Sequence, residues 1–343
     1  MSRNAYIRQS VLVSTVLMAA LFLGPMAVIP PFPERAAAPP LPQEQAEEVI
    51  VPRPAESRDA EVILTVLVDG KPEQMDLGSY LVGVLRAEMP AAFHPEALKA
   101  QAAAARTYTL HKMLSGSGHG DAADVCTDAA CCQAYRGEAA AREEWGEQAE
   151  TYEKKVREAV AETDGQAILY GGVPILAVFH AASAGVTRSA GQVWQSDLPY
   201  LRAVRSPESA EAIPDYYSRA VFTAEEFRVA VGTVCPEAKL TGDVGKWLSQ
   251  AVTDEAGSVE TVKVGGVTVK GSTLRAALGL RSACFEWEAK DGALTFYVTG
   301  YGHGVGLSQY GANRMAQEGA GWREILTHYY SGVTIGAFSA AGM

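Results

Sequence analysis

The order of hydrophobic and polar positions predicts a mixed fold of helices and strands. The stretch VILTVLVDGK is typical of a strand followed by a turn. Asp76 then precedes LGSYLVGVLRAEM, whose apolar spacing predicts a helix that is capped by Asp76 and ended by Pro90. A second helix is predicted to begin at Pro95 and to run to about Leu114.

Further elements follow along the rest of the chain. The pattern predicts a charged helix near Ala141 to Glu162, strands at Gln166–Tyr170, Val173–His180 and Leu294–Thr299, a hairpin over Thr261–Lys270, a short helix capped by Ser272, and a helix from Ser308 to Glu318. The hairpin turns at a pair of glycines. Because no regular strand-helix-strand alternation and no internal repeat is present, the predicted class is α+β.

The beginning of the chain has a different pattern. Arg3 and Arg8 precede an uncharged run with an apolar centre at residues 11–29, and a membrane-spanning helix needs roughly 20 such residues. A cleaved signal peptide is the alternative, since RAAAPP offers small residues, but its apolar region is usually only about 7–15 residues long. We favour a single-pass anchor with residues 1–10 in the cytoplasm, because positive residues mark the inner side.

Residues 30–57 are rich in proline and poor in apolar residues, which predicts an extended tether. At about 3.1 Å per residue this tether spans up to roughly 80 Å. Residues 58–343 are therefore expected to form an extracytoplasmic domain, held at a distance from the membrane.

Composition narrows the possible partners. Hydrophobic residues make up 48% of the chain, which is enough for a sizeable core. The 29 basic residues are outnumbered by 40 acidic ones, and a net charge of -11 repels a phosphate backbone. Nucleic acid is excluded as an expected partner.

Glu88 is the first candidate for chemistry. It lies next to Met89, in the last turn of a predicted helix, where apolar neighbours and the negative end of the helix dipole both favour a protonated carboxyl group. Such a group can donate a proton near neutral pH. A solvated helix-end glutamate is the simpler alternative. On the second helix, Lys99 and Arg106 share one face and are predicted to line the same groove.

Three motifs resemble those of a known family. They are YLVGVLRAEMPAAFHPEALKAQAAAARTY, AASAGVTRSAGQVWQSDLPYLRAVRSP and GYGHGVGLSQYGANRMAQEGAGWREILTHYYSGV, in that order. The chain is similar to the stage II sporulation protein D family, the cell-wall lytic transglycosylases of endospore-forming bacteria. The resemblance covers nearly everything after Val62 and implies lobes around a glycan-binding cleft, with Glu88 as the catalytic acid.

The resemblance also implies why one carboxylate is sufficient. Ordinary glycosidases use two carboxylates, whereas in lytic transglycosylases the 6-hydroxyl of muramic acid attacks in place of water. One glutamate can then act first as acid and afterwards as base, and the product is a 1,6-anhydro sugar.

The remaining motif positions are candidates for binding sugar hydroxyls. They are Lys99, Arg106, Ser183, Thr187, Trp194, Tyr200, His303, Gln309 and Tyr310. Each has a structural alternative, since Trp194 and Tyr310 are equally typical of a core. His303 lies in a glycine-dense turn, where functional side chains are common.

A cluster of metal-ligand residues follows the second helix. His119, Cys126, Cys131 and Cys132 are ligand types that zinc prefers, and four of them favour a structural site over a catalytic one. Some family members bind zinc here through two histidines and two cysteines, but this chain has Cys131 at the second histidine position. Disulfide bonding of Cys131 or Cys132 is therefore an alternative outside the cytoplasm.

The pairing of Cys235 with Cys284 is also left open by the sequence.

The expected function is cleavage of peptide-free glycan strands during engulfment, between the mother-cell and forespore membranes. By resemblance, the expected partners are a sporulation amidase or endopeptidase and a membrane scaffold protein. A non-catalytic glycan-binding enhancer of an amidase and a zinc-dependent hydrolase are the alternative functions.

Overall fold

The computed structural model describes residues 57–116, 119–194, 196–208 and 210–338. The predicted anchor at residues 11–29 and residues 30–56 of the predicted tether lie outside this part of the chain. Among the described residues, no helix combines the length and the apolar character needed to cross a membrane.

The fold contains both helices and strands, which confirms the α+β class. The helices are α1 (Leu77–Glu88), α2 (Pro95–Ser115), α3 (Glu138–Trp145), α4 (Ala149–Ala161), α5 (Ala190–Val193), α6 (Ala224–Gly232), α7 (Gly271–Leu278), α8 (Gln309–Gln317) and α9 (Trp322–Tyr329). The strands are β1 (Ile63–Val68), β2 (Lys71–Asp76), β3 (Val125–Cys126), β4 (Gln166–Tyr170), β5 (Val173–Pro174), β6 (Phe179–His180), β7 (Tyr217–Thr223), β8 (Leu248–Thr253), β9 (Val259–Val264), β10 (Val267–Lys270), β11 (Phe285–Lys290), β12 (Ala293–Thr299), β13 (Leu307–Ser308) and β14 (Thr334–Ala337).

The larger hydrophobic core is built around α2. This helix packs against α1, α4, α8, α9 and β4, and its many alanines are fully buried. Small side chains allow the neighbouring elements to approach α2 from several sides. Small sheets surround this core: β1 pairs with β2 and β3, β4 lies between β5 and β14, and β6 pairs with β13.

A second core consists of buried residues between Phe227 and Val298. It is formed by α6, α7 and two three-stranded sheets, with β12 between β7 and β11 and with β9 between β8 and β10. Phe227, Trp247 and Phe296 are among its buried side chains. An ion pair of 2.6 Å joins Arg188 to Asp254, and both side chains are buried, so the two cores are linked by a charged contact in the interior.

Several predicted elements are confirmed. Asp76 caps α1, since its Oδ1 accepts a hydrogen bond of 2.8 Å from the Ser79 backbone N–H. Pro95 begins α2. The predicted hairpin is formed by β9 and β10, and both glycines of its turn, Gly265 and Gly266, have positive φ.

Three predictions need correction. The charged segment forms two helices, α3 and α4, because the chain turns at Gly146 with a φ of 53°. The strand predicted to end at His180 is interrupted after Pro174, whose backbone lacks the N–H that a ladder needs. Ser272 does not cap α7, which begins at Gly271, where a Cβ atom would lie only 2.0 Å from the Val259 carbonyl oxygen.

Candidate active site and metal centre

Glu88 lies in the last turn of α1, as predicted, and its side chain is partly buried. The backbone N–H of Ala134 donates a hydrogen bond of 2.7 Å to Glu88 Oε1. Burial raises the pKa of Glu88, and the hydrogen bond from Ala134 only partly opposes this. The carboxyl group therefore holds its proton to a higher pH than an exposed glutamate does.

A glycine in α1, Gly83, allows the segment that contains Ala134 to pack closely against this helix. The ring of Tyr135 packs on Gly83, where an added Cβ would meet ring atoms at 2.0 Å. The Arg136 N–H also donates to the Gly83 carbonyl at 2.9 Å, and the Tyr135 ring stacks on Tyr80 with centroids 6.0 Å apart. A glycine inside a helical pattern was the available sequence signal, and its role was missed.

The four predicted metal ligands lie together. One ligand atom from each of His119, Cys126, Cys131 and Cys132 lies within 4.8 Å of all the others. His119 Nε2 is 3.6 Å from Cys131 Sγ and 3.5 Å from Cys132 Sγ, and the two sulfurs are 3.9 Å apart. Zinc–sulfur bonds of about 2.3 Å in a tetrahedron place neighbouring sulfurs about 3.8 Å apart. The residues therefore fit a zinc ion.

Pairing of the cysteines in disulfides is not observed. All five are free thiols in the structure, including Cys235, which is buried in the second core. Burial is the main reason why the pKa of Cys132 is raised to about 12 when no metal is bound. Metal binding requires thiolates, so an ion would reverse this preference.

The metal cluster and Glu88 share one segment of chain. Cys132 is followed by Gln133, whose side chain is buried and accepts a hydrogen bond of 3.1 Å from Thr109 Oγ1 on α2. Ala134, the next residue, is the donor to Glu88. The Tyr108 hydroxyl, also on α2, donates to the Cys131 carbonyl at 3.4 Å. A metal bound by Cys131 and Cys132 would therefore also fix the position of Ala134, the donor to Glu88.

Lys99 and Arg106 do not line the groove together. Lys99 pairs with Glu96 at 2.7 Å and with Glu162 at 2.6 Å. Arg106 is fully buried, with its guanidinium bonded to the Asp59 carboxylate at 2.6–3.0 Å. A buried, fully paired guanidinium cannot reach a sugar, so we assign Arg106 to the interior ion pair in place of the predicted glycan contact.

Three candidates of the second motif also make interior contacts. The backbone N–H of Ser183 donates to Glu208 Oε1 at 3.0 Å, and its hydroxyl accepts from Gly185. The Thr187 hydroxyl exchanges two hydrogen bonds with the backbone of Val204. The Tyr200 hydroxyl accepts from the Leu176 N–H at 3.2 Å. All three candidates are buried, and these contacts stabilise the loops of the motif.

His303 packs between two rings, with centroids 5.4 Å from Trp194 and 5.6 Å from His180. Its Nδ1 accepts a hydrogen bond of 3.0 Å from the Val305 N–H, so the ring proton is on Nε2 in the neutral form. Burial and the neighbouring His180 lower the pKa of His303 to about 3. His303 is therefore a neutral ring at physiological pH.

Gln309 and Tyr310 lie at the start of α8 and face the chain that follows Glu88. The Gln309 amide nitrogen is 3.4 Å from the Gln101 side-chain oxygen, and both residues are buried. Tyr310 packs its ring edge to face on Phe93, with centroids 4.9 Å apart. The third motif is thus brought next to the first.

Glu208 is a structural residue that the sequence pattern did not reveal. Its Oε1 accepts hydrogen bonds from the Ser183 N–H, from Ser206 Oγ at 2.9 Å and from Ser308 Oγ at 2.6 Å. Ser308 caps α8 through a bond to Gly311. One carboxylate therefore joins the second motif to the third, and no periodicity signals such a role.

These features describe a mixed helix-and-sheet protein with a partly buried glutamate beside a metal-ligand cluster, and comparison places the chain in a family. A family model described as Stage II sporulation protein matches residues 70–170. Stage II sporulation protein D of Bacillus subtilis (strain 168) is 36% identical over 339 residues, which cover 96% of each chain. The chain therefore belongs to the stage II sporulation protein D family.

Two further relatives are informative. Stage II sporulation protein D of Bacillus amyloliquefaciens is 38% identical over 264 residues, which cover 77% of this chain and 75% of that protein. A Bacillus subtilis (strain 168) protein named Amidase enhancer is 26% identical over 305 residues, which cover 75% of this chain but 40% of that protein. The similarity to the enhancer is thus confined to part of a longer protein.

Proposed function

We propose that this sporulation-family protein is a lytic transglycosylase that cleaves peptide-free peptidoglycan glycan strands, with Glu88 as its catalytic residue. The observation that carries the proposal is the environment of Glu88: burial raises its pKa, and Ala134 holds one carboxylate oxygen. This environment suits a proton donor near neutral pH. The second oxygen is then the one that reaches the glycosidic bond.

The chemistry needs only this carboxyl group. Glu88 protonates the leaving glycosidic oxygen, and the resulting carboxylate then accepts the proton of the 6-hydroxyl of muramic acid as that oxygen attacks C1. A 1,6-anhydromuramic end is formed, and no water is consumed. The Ala134 hydrogen bond stabilises the carboxylate between the two proton transfers.

The proposed metal has a structural role. His119, Cys126, Cys131 and Cys132 would hold zinc, which would supply fixed geometry to the segment that ends at Ala134. Four protein ligands complete a tetrahedral shell. We therefore place zinc-dependent hydrolysis below transglycosylation.

The proposed setting follows from the sequence expectations. We propose that residues 11–29 anchor the chain in the cell membrane, with the domain outside the cytoplasm, between the mother-cell and forespore membranes. A sporulation amidase or endopeptidase and a membrane scaffold protein are the proposed partners, and no nucleic acid is required. The name of the relative called Amidase enhancer supports an association with an amidase.

A second candidate function is a non-catalytic glycan-binding enhancer of such an amidase. The similarity to Amidase enhancer is the observation that favours it. In that case Glu88 would hydrogen-bond sugar hydroxyls without transferring a proton. The two functions differ in whether strands are cut.

The test is product analysis by mass spectrometry. Peptide-free glycan strands are incubated with the full chain, with Glu88→Gln, and with Glu158→Gln, which removes an exposed carboxylate on α4. We expect 1,6-anhydromuramic ends from the wild type and the control, and a loss of about 10²- to 10⁴-fold in Glu88→Gln. Reducing ends would indicate hydrolysis. Strand binding without any cleavage would favour the enhancer.

A further inference from the structure

Glu88 is joined to α2 by a short loop, residues 89–94. The Phe93 N–H donates to the Pro90 carbonyl at 2.9 Å, which closes a turn within the loop. The side chains of Ala91 and Phe93 are buried. Because the loop begins directly after Glu88, its conformation affects where the carboxyl group lies.

The same loop contacts α8, the helix of the third motif. The Phe93 ring packs on the ring of Tyr310, and the His94 N–H donates to Asn313 Oδ1 at 2.8 Å. Both partners lie on α8. The loop therefore connects the glutamate to a candidate glycan-binding helix, and the spacing between the two depends on how firmly the loop is held.

A lysine on α4 holds this loop. Lys155 Nζ donates to the Ala91 carbonyl at 2.8 Å and to the Phe93 carbonyl at 2.7 Å. Both carbonyls belong to loop residues that lie outside every helix and strand, so they need partners from elsewhere in the chain. One ammonium group bonded to both carbonyls fixes the path of the loop between them.

Lys155 differs in its surroundings from the lysine beside it. Burial lowers the pKa of Lys155, and no carboxylate in the described part of the chain offsets this. The ring of Tyr152 lies 6.0 Å from its Nζ, at the outer limit of a cation–π contact. Lys154, by contrast, has a side chain that is 74% exposed and pairs with Glu158. Taking an ammonium partly out of water without a counter-charge is unfavourable, and the two hydrogen bonds to the loop are the contacts that offset this.

We propose that Lys155 is a positioning residue of the glycan site, which holds residues 89–94 and so fixes the spacing between Glu88 and Tyr310. The identity of the ligand rests on the proposed function, whereas the holding of the loop does not require that strands are cut. Lys155 acts by geometry, since the pKa of Glu88 responds to burial and to the Ala134 hydrogen bond. A displacement of about 1 Å at a reacting group can slow a reaction about 100-fold, so a small shift of the loop is sufficient.

The experiment compares the full-length wild type with Lys155→Met, which keeps the length of the side chain but removes the donors. Lys155→Arg keeps a cation that can donate to both carbonyls, and Lys154→Met is the control on the same helix. Lys155→Gln, which keeps a shorter donor, is measured in parallel in case the methionine variant does not fold. The readouts are amide hydrogen exchange of residues 91–94, binding of peptide-free glycan strands, and kcat and KM for release of 1,6-anhydro ends across a range of pH, all well below the Tm of every variant.

We expect Lys155→Met to exchange the amides of residues 91–94 at least about tenfold faster than the wild type. Its kcat should fall about 10- to 100-fold with a smaller change in KM. The pH dependence should not move, because Lys155 does not act on Glu88 through charge. Lys155→Arg should recover most of the lost activity, and Lys154→Met should match the wild type in every readout.

Unchanged exchange in Lys155→Met would overturn the proposal. So would faster exchange with an unchanged kcat, since Lys155 would then have a structural role only, and so would a shift in the pH dependence, which would indicate an effect of charge. Failure of the proposed function is a separate result, in which the wild type and Lys154→Met bind strands without cutting them. The strand affinity then decides: weaker binding by Lys155→Met supports the positioning role, and equal binding overturns it.

Discussion

Replacing Arg106 by alanine should destabilise the protein strongly and should leave intrinsic glycan affinity unchanged. Arg106 and Asp59 are both inside the protein, with side-chain exposures of 0% and 2%. The guanidinium also donates to Thr163 Oγ1 at 3.2 Å and to the Val160 carbonyl at 3.2 Å. Truncation would leave the Asp59 carboxylate buried without its partner.

The expected cost is large. Breaking a buried ion pair by removing one partner costs about 3–5 kcal/mol, which corresponds to a decrease in Tm of roughly 6–20 °C for a domain near this size. Burial raises the pKa of Asp59 even with Arg106 beside it, so desolvation outweighs the attraction between the two. Replacing both residues, Arg106→Met with Asp59→Leu, should therefore recover most of the lost stability.

The assay is urea and thermal unfolding, together with glycan binding by the folded fraction. Arg202→Ala is the matched control, because Arg202 forms an exposed pair with Asp197 at 3.2 Å, and such pairs contribute about 1 kcal/mol or less. If Arg106→Ala unfolds within about 2 °C of the wild type but no longer binds glycan, the assignment of Arg106 to the interior is refuted.

Three further predictions concern the region around Glu88. Glu88→Gln should be more stable than the wild type at neutral pH, and the difference in Tm should shrink to zero as the pH falls below about 4.3, the ordinary pKa of glutamate. The reason is that the folded state raises the pKa of Glu88, so the wild type loses stability as the pH rises from the ordinary pKa to the raised one. A difference in Tm that does not depend on pH would contradict this. Cys132→Ser, or removal of metal by a chelator, should lower the zinc content of the protein and should speed amide hydrogen exchange in residues 125–135 at least about tenfold. Unchanged exchange rates would show that the metal does not hold this segment. Gly83→Ala should lower the free energy of unfolding by about 1–3 kcal/mol, because the new Cβ collides with the Tyr135 ring. The control is Gly232→Ala, which has open space around it at the end of a helix and should leave the free energy of unfolding unchanged or raise it. Denaturant unfolding measures both.

Local features could be read directly from the sequence. The Asp76 cap, the start of α2 at Pro95 and the β9–β10 hairpin depend on neighbours within a few residues, so their signals are contained in short windows. The placement of Glu88 at a helix end and the choice of metal-ligand residue types were predictable for the same reason.

Contacts between distant residues could not be read in this way. Lys99 and Arg106 have the spacing of a polar helix face, but α2 is surrounded by other elements, and Arg106 meets Asp59 from 47 positions earlier. The roles of Gly83 and Glu208 depend on residues 52 and 100 positions away, namely Tyr135 and Ser308. No local pattern records these partners.

The sequence alone thus determined which helices and strands form locally and which side chains are available for chemistry, because capping, turns and periodicity act over short distances. The tertiary structure decided which polar residues are buried, which segment donates to Glu88, and which face of the β7–β12–β11 sheet is left in solvent. The reason is physical: burial and hydrogen bonding depend on which surfaces meet after the chain has folded, and those meetings join residues far apart in sequence.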